Sequence, residues 1–266
     1  MSYVKLPKIS YSGKAAYDWC PRQWKYIYLD KVSPDKPVYP TTVTGTAVHS
    51  LVSQMYRDQI FTLPFLLINW QKHLEAAIKE HKYPATAMQI MAMQKMGIEI
   101  IQNFYRMAER EGILIAPVKT EWRFKLSLDD FAISGVVDLI VIVRGQVYII
   151  DFKTGLNDLT QQEVDENEQL TFYALAALKL LGIDNAKVGF FYPRLGAIKY
   201  SKRDTANYTK LIEDARVVLG KIAARQFTPT YVKCNWCRFA NRCAAEDMAA
   251  KTKLDMAWFY TEPRRT

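Results

Sequence analysis

The segment from Val118 to Thr154 constrains the fold more than any other. Its period changes from helical to alternating, and "VKTEWRFKLSL", "FAISGVVDLIVIV" and "QVYIIDFKT" read as three consecutive strands. The turns "LDDF" and "VRGQ" join them and are too short for anything but antiparallel neighbours. The third strand leaves its apolar run directly onto Asp151 and Lys153. Strand side chains alternate in direction, so this acid and this base share one face.

Register follows from the turns. If the second turn is centred between Arg144 and Gly145, counting outward sets Asp138 opposite Asp151, with Cβ atoms about 4.5–5.5 Å apart. If the first is centred between Asp129 and Asp130, Glu121 falls opposite Asp138. Three carboxylates then form one row across three strands. Like charges directly opposite destabilise a sheet. The row makes sense where a divalent cation neutralises it, and carboxylates with water and phosphate suit Mg²⁺ or Mn²⁺. Lys153 supplies a second element of a hydrolytic site: it can orient or help deprotonate a water and stabilise charge on a phosphorane. The alternative is an exposed polar face with unrelated acids. A one-residue slip would send the acids to opposite faces.

The rest of the chain frames this meander. An aromatic opening, "ISYSGKAAYDWCPRQWKYIYLD", carries Cys20, and a proline-rich loop spans 33–42. Helical periods follow from about Thr44, near 66–82 and over 86–111. After the meander, "EVDENEQLTFYALAALKLLG" predicts one helix ended by Gly182, and "AKVGFFYP" a fourth strand stopped at Pro193. "NYTKLIEDARVVLGKIAARQ" predicts a last helix, and the terminal "TEPRRT" a mobile tail. The expected organisation is one α/β domain over 1–266. It has a helical part (1–115), a mixed-sheet core (116–225) and a C-terminal cysteine segment (226–266).

Composition excludes several classes. Half the residues are hydrophobic and a quarter charged, as in globular proteins. No apolar run approaches the roughly 18 residues of a membrane span, and the opening residues lack the apolar core of a secretion signal. A cytoplasmic location without membrane association is expected. The net charge of +9 permits a polyanionic partner. The four cysteines are Cys20, Cys234, Cys237 and Cys243; clustering of this kind in a reducing compartment points to metal ligation. Four thiolates fit zinc or an iron–sulfur cluster, and free buried cysteines are the remaining reading.

These residues together resemble the PD-(D/E)XK nuclease superfamily, restriction-endonuclease-like in fold. Asp138 matches its first acid and Asp151-Phe152-Lys153 its D-x-K. "GVV" precedes Asp138 where many members have proline, a departure shared by the RecB-like branch. "GTAVHS" resembles that branch's G-x-x-x-H element, which implies His49 as a metal ligand beside Asp138 and Asp151. "QLTFY" resembles its Q-x-x-x-Y element, which implies that Gln169 and Tyr173 position the scissile strand or Lys153. Four residues apart on a helix, they share a face. Glu121 would bind the metal through water or orient its neighbours. The one-plus-three cysteine split resembles the iron–sulfur members, among them AddB-type recombination nucleases and CRISPR-adaptation exonucleases. That implies a structural 4Fe–4S cluster on Cys20, Cys234, Cys237 and Cys243.

The resemblance implies a metal-dependent deoxyribonuclease, first an exonuclease on single strands or duplex ends, with a recombination or helicase partner possible. A prespacer-trimming endonuclease is the second reading, a phage or mobile-element nuclease is equally compatible, and a non-cleaving iron–sulfur scaffold subunit comes from a different class. Interleaved aromatic and basic residues make Tyr17, Trp19, Arg22, Trp24 and Lys25 candidates for stacking on and holding single-stranded DNA. The competing reading packs those aromatics around the cluster.

Overall fold

The structure, a computed structural model, describes residues 7–232 and 234–248. The terminal "TEPRRT" and much of the 226–266 segment lie outside the described residues. In chain order the elements are β1 (Lys8–Ser10), α1 (Tyr11–Trp19), α2 (Pro21–Trp24) with a π-helical turn over Lys25–Leu29, α3 (Pro40–Asp58), α4 (Leu63–Glu80) and α5 (Ala87–Glu111). Then come β2 (Lys119–Ser127), β3 (Ala132–Val143), β4 (Gln146–Phe152), α6 (Gln161–Asp165), α7 (Glu168–Leu181), β5 (Lys187–Tyr192), β6 (Ala197–Ser201) and α8 (Thr205–Ala223). The chain divides into two compact units: residues to Tyr11 with Val38–Gly220, and Ser12–Pro37 with Lys221 onward. No described helix is long and apolar enough to cross a membrane.

The first unit is built on one mixed sheet. Long β3 pairs antiparallel with β2 along one edge; its other edge takes β1 in parallel at Ala132–Ser134 and β4 antiparallel at Leu139–Val143. β5 joins β4 in parallel and β6 closes antiparallel on β5. Arg144 and Gly145 both have positive φ, 51° and 79°, as a two-residue hairpin turn matched to strand twist requires. That turn pairs Val143 with Gln146 and Leu139 with Ile150, the register counted from the sequence.

Both faces of the sheet are covered, which is why β3 and β4 are almost continuously apolar. One core gathers Val48, Leu51 and Met55 of α3, Leu66, Trp70 and Leu74 of α4 and Phe104 of α5. They pack with Leu139, Val141, Ile150 and Phe152 of the strands. α7 packs against β2, β3 and β5 and is buried continuously from Leu170 to Ala177. Alternation along β4 gives Ile150 and Phe152 to the first core and turns Asp151 toward α7.

Three local differences from the sequence expectation have clear causes. The helix expected over "EVDENEQLTFYALAALKLLG" is two, because Asn167 Oδ1 accepts from the N–H groups of Gln169 and Leu170 and caps a new start. The helix expected from about Thr44 begins at Pro40, whose fixed φ suits the first helical position. β1 and β6 are short strands of three and five residues that carry no strong alternation of their own and form by pairing with β3 and β5.

In the second unit Tyr17 is buried and donates its hydroxyl to the Gln226 carbonyl at 2.6 Å. Trp24 stacks on Phe227 at 5.8 Å and on Tyr28 at 5.4 Å. A helix over 240–248 brings Glu246 Oε2 to the Tyr26 hydroxyl at 2.7 Å.

Candidate metal and hydrolytic centre

Two adjoining networks make the site. In the first, single donor atoms of His49, Glu121 and Asp138 lie within 4.8 Å of one another. His49 Nδ1 stands 3.4 Å from Asp138 Oδ2, and that oxygen accepts the backbone N–H of Phe152 at 2.8 Å. The β3–β4 ladder stops at Leu139–Ile150, and the Phe152–Asp138 bond takes over where an Asp138–Asp151 pair would come next. Glu121 is likewise skipped by the β2–β3 ladder, which pairs Thr120 with Leu139 and Trp122 with Val137. Its φ is +45°, a left-handed conformation that a glutamate holds at some cost in free energy. The register is the same on both sides, so Glu121 stays opposite Asp138, and the two carboxylates meet His49 there.

The second network surrounds Asp151, whose side chain is 7% exposed. Lys153 Nζ reaches Asp151 Oδ2 at 2.7 Å. Gln169 Nε2 and the Tyr173 hydroxyl donate to Asp151 Oδ1 at 2.8 and 2.9 Å, and Gln169 Oε1 accepts from Lys153 Nζ at 2.8 Å. The amide's polarity is thereby fixed, oxygen toward the ammonium and nitrogen toward the carboxylate. Lys153 also lies 4.7 Å from the Phe190 ring centre, and its backbone N–H donates to the Phe191 carbonyl at 2.8 Å. The structure thus gives Gln169 and Tyr173 a defined geometric task, holding the acid–lysine pair.

Electrostatics couple the two networks. Burial raises the Asp151 carboxyl's pKa, Lys153 opposes that, and Asp138 adds to it. Burial alone would lower His49, but the neighbouring Asp138 and then Asp151 more than offset this and push it up to about 9. Glu121 is raised by burial and by Asp138.

Donor chemistry fits a hard divalent ion. One nitrogen and two carboxylates at this spacing can converge on a cation with bonds of about 2.0–2.2 Å, and the imidazole favours Mn²⁺ over Mg²⁺. Asp151, expected among the ligands, accepts from Lys153 at Oδ2 and from Gln169 and Tyr173 at Oδ1, while Glu121 stands with His49 and Asp138 in the donor set.

Two further residues shape the site. A Cβ at Gly45 would lie 2.6 Å from Thr154 Oγ1, so this glycine lets α3 press against the segment after Lys153. His49 follows one turn later on the same face. The second is Arg203, which donates to the carbonyls of Val164 and Asn167 at 2.8 and 3.0 Å and to Thr171 Oγ1 at 2.8 Å. It ties down the break before α7 and hence the turn that carries Gln169. The glycine had a signal in the G-x-x-x-H spacing, while the arginine had none.

Gly45→Val is expected to lower Mn²⁺ affinity about tenfold, since displacement of a ligand-bearing helix by even 1 Å is costly. Adding Thr154→Ala to it should restore most of the loss, measured by calorimetric metal titration. A double variant no better than the single would show that Thr154 is not the obstacle.

In the second unit the four cysteines line one cavity of about 210 Å³. Burial raises the Cys237 thiol, and Cys20, Cys234 and Cys243 add to it. Arg22 Nη1 lies 3.4 Å from Cys243 Sγ and 2.5 Å from Asp247 Oδ1. Of the expected DNA contacts, Tyr17 offers no free ring face, Arg22 is held by Asp247, Trp24 is stacked internally and Lys25 pairs with Asp30 at 2.6 Å. Trp19 is 42% exposed.

The family model described as PD-(D/E)XK nuclease superfamily matches residues 8–244. The chain is 25% identical to the Gene 69 protein of Mycobacterium phage D29 over 275 residues, covering 91% of this chain and 98% of that one. It is 26% identical to the Gene 69 protein of Mycobacterium phage L5 over 132 residues, 46% of this chain and 43% of that one. The crystal structure of a candidate exonuclease from Eubacterium rectale shares the fold with a TM-score of 0.54 at 12% identity, covering 88% of this chain and 87% of that one.

Proposed function

Because the chain belongs to the PD-(D/E)XK nuclease superfamily, we propose that it is a divalent-metal-dependent DNA exonuclease acting on single strands or duplex ends. The observation that carries this reading is the His49–Glu121–Asp138 donor set beside the Asp151–Lys153 pair. A cation bound there supplies Lewis-acid stabilisation of charge on the scissile phosphate. His49, Glu121 and Asp138 hold it. Lys153 Nζ orients the attacking water and offsets charge that builds on the phosphoryl oxygens. Asp151, Gln169 and Tyr173 keep Lys153 in place. The two mycobacteriophage relatives support a phage as the setting.

The cysteines are proposed to hold a 4Fe–4S cluster. The four cysteines line one cavity, their one-plus-three split resembles that of the iron–sulfur members of the superfamily, and Arg22 beside Cys243 contributes a compensating positive charge.

The test is incubation of anaerobically purified protein with Mn²⁺ and end-labelled linear or closed circular DNA. Mononucleotide release from linear substrate, with circles intact, is the expected result. Cleaved circles would replace the exonuclease reading with the endonuclease one, and inertness on every substrate would remove both.

Metal binding should also depend on pH. Below about 9 the metal-free His49 carries a proton that must leave before its nitrogen can ligate. Mn²⁺ affinity is therefore expected to rise by up to about tenfold per pH unit between 7 and 8, with proton release visible in buffers of different ionisation enthalpy. Affinity that is flat over this range would show that no proton leaves His49 on binding.

A further inference from the structure

The donor set opens onto a cleft of about 770 Å³ whose lining includes two arginines. Arg57 lies on α3, eight residues beyond His49, which is about 12 Å along the helix. Arg123 lies on β2, two residues beyond Glu121. Both are exposed. Arg57 is pre-positioned, since its Nη1 donates to the hydroxyl of buried Ser53 at 2.5 Å. Neither guanidinium forms a salt bridge with a carboxylate among the described residues. Glu121 feels both: burial and then Asp138 raise its carboxyl, while Arg123 and Arg57 pull it down. Thr41, Thr42 and Thr46 add hydroxyls to the same wall.

Positive charge is not what a metal-binding cleft needs for its cation, because it weakens the attraction of the donor set. Its presence calls for an anion that extends past the metal. A guanidinium fork matches phosphate geometry, and hydroxyls are common phosphate partners. We propose that Arg57 and Arg123 form a subsite for backbone phosphates of the bound strand other than the scissile one, holding the strand in line with the donor set. This rests on the nuclease reading for the identity of the strand, and on the cleft geometry for the site itself.

The test compares wild type with Arg57→Ala, Arg123→Ala, the double variant and the matching lysine variants. Binding of fluorescent single-stranded DNA is measured by anisotropy without divalent metal across 50–300 mM salt. Cleavage of oligonucleotides of increasing length is then measured with Mn²⁺. Each alanine variant is expected to weaken binding about 5- to 10-fold and to flatten the log–log salt slope by about 0.7 for each phosphate no longer neutralised. KM should rise with kcat nearly unchanged, and the gain in affinity with length should vanish in the double variant. Lysine should restore the salt slope but only part of the affinity. Unchanged affinity and slope in the double variant would overturn the subsite, as would a loss confined to kcat, which would make the arginines servants of Glu121. If wild type binds DNA without cleaving it while the variants still lose affinity, the nuclease reading falls and the subsite stands.

Discussion

Asp138→Asn is expected to remain folded while its Mn²⁺-dependent DNA cleavage falls by about 10³-fold or more. The substitution keeps side-chain volume and an oxygen that can still accept the Phe152 N–H, the bond that closes the β3–β4 ladder. It removes the negative charge that faces His49 at 3.4 Å and belongs to the three-residue donor set. Loss of charge stabilisation of about 4 kcal/mol at a transferring phosphate corresponds to about three decades of rate. Melting temperature and circular dichroism check the fold, and single-turnover cleavage checks the chemistry. Lys153→Ala should fall by about 10²–10³ with metal affinity nearly intact, since Lys153 contacts Asp151 and Gln169 rather than the donor set. An Asp138→Asn protein that cleaves at wild-type rate would remove this residue from the centre.

Cys20→Ser is expected to lower cluster content and stability before it alters phosphodiester chemistry. The four cysteines surround one cavity in the second unit, whereas the donor set and Lys153 belong to the first. A cofactor that bridges residue 20 to residues 234–243 contributes folding free energy wherever it binds only the folded chain. Loss of about 3 kcal/mol would lower the melting temperature by roughly 6–12 °C. Iron and sulfide analysis with visible absorbance reads the cluster, and calorimetry reads the melt. A variant with full absorbance and a wild-type melt would show that Cys20 is not a ligand.

Much of this site was legible in sequence, for identifiable reasons. The hairpin turn at Arg144–Gly145 is short and tightly specified, so counting outward from it reached the true register of β3 and β4. Apolar runs that end on charge showed where the strands leave the core. Helical spacing set Gln169 and Tyr173 on one face, and both donate to the same Asp151 oxygen. What stayed hidden depends on tertiary geometry. The left-handed backbone at Glu121 has no glycine or proline to announce it, and the approach of His49 from α3 to Glu121 and Asp138 is set only by packing. The split between α6 and α7 rests on Asn167 and on Arg203, which arrives from 36 residues away. The aromatics near Cys20 gave an ambiguous signal, because rings that stack on bases and rings that stack on each other have the same composition; Trp24 between Tyr28 and Phe227 is the second kind.

The central claim is that His49, Glu121 and Asp138 hold a divalent cation. It is tested most directly by anomalous X-ray scattering from crystals of the protein soaked in Mn²⁺. The account predicts one strong manganese peak about 2.0–2.3 Å from a ring nitrogen of His49 and from carboxylate oxygens of Asp138 and Glu121. A peak held elsewhere with His49 and Glu121 unligated, or no peak at saturating Mn²⁺, would contradict it.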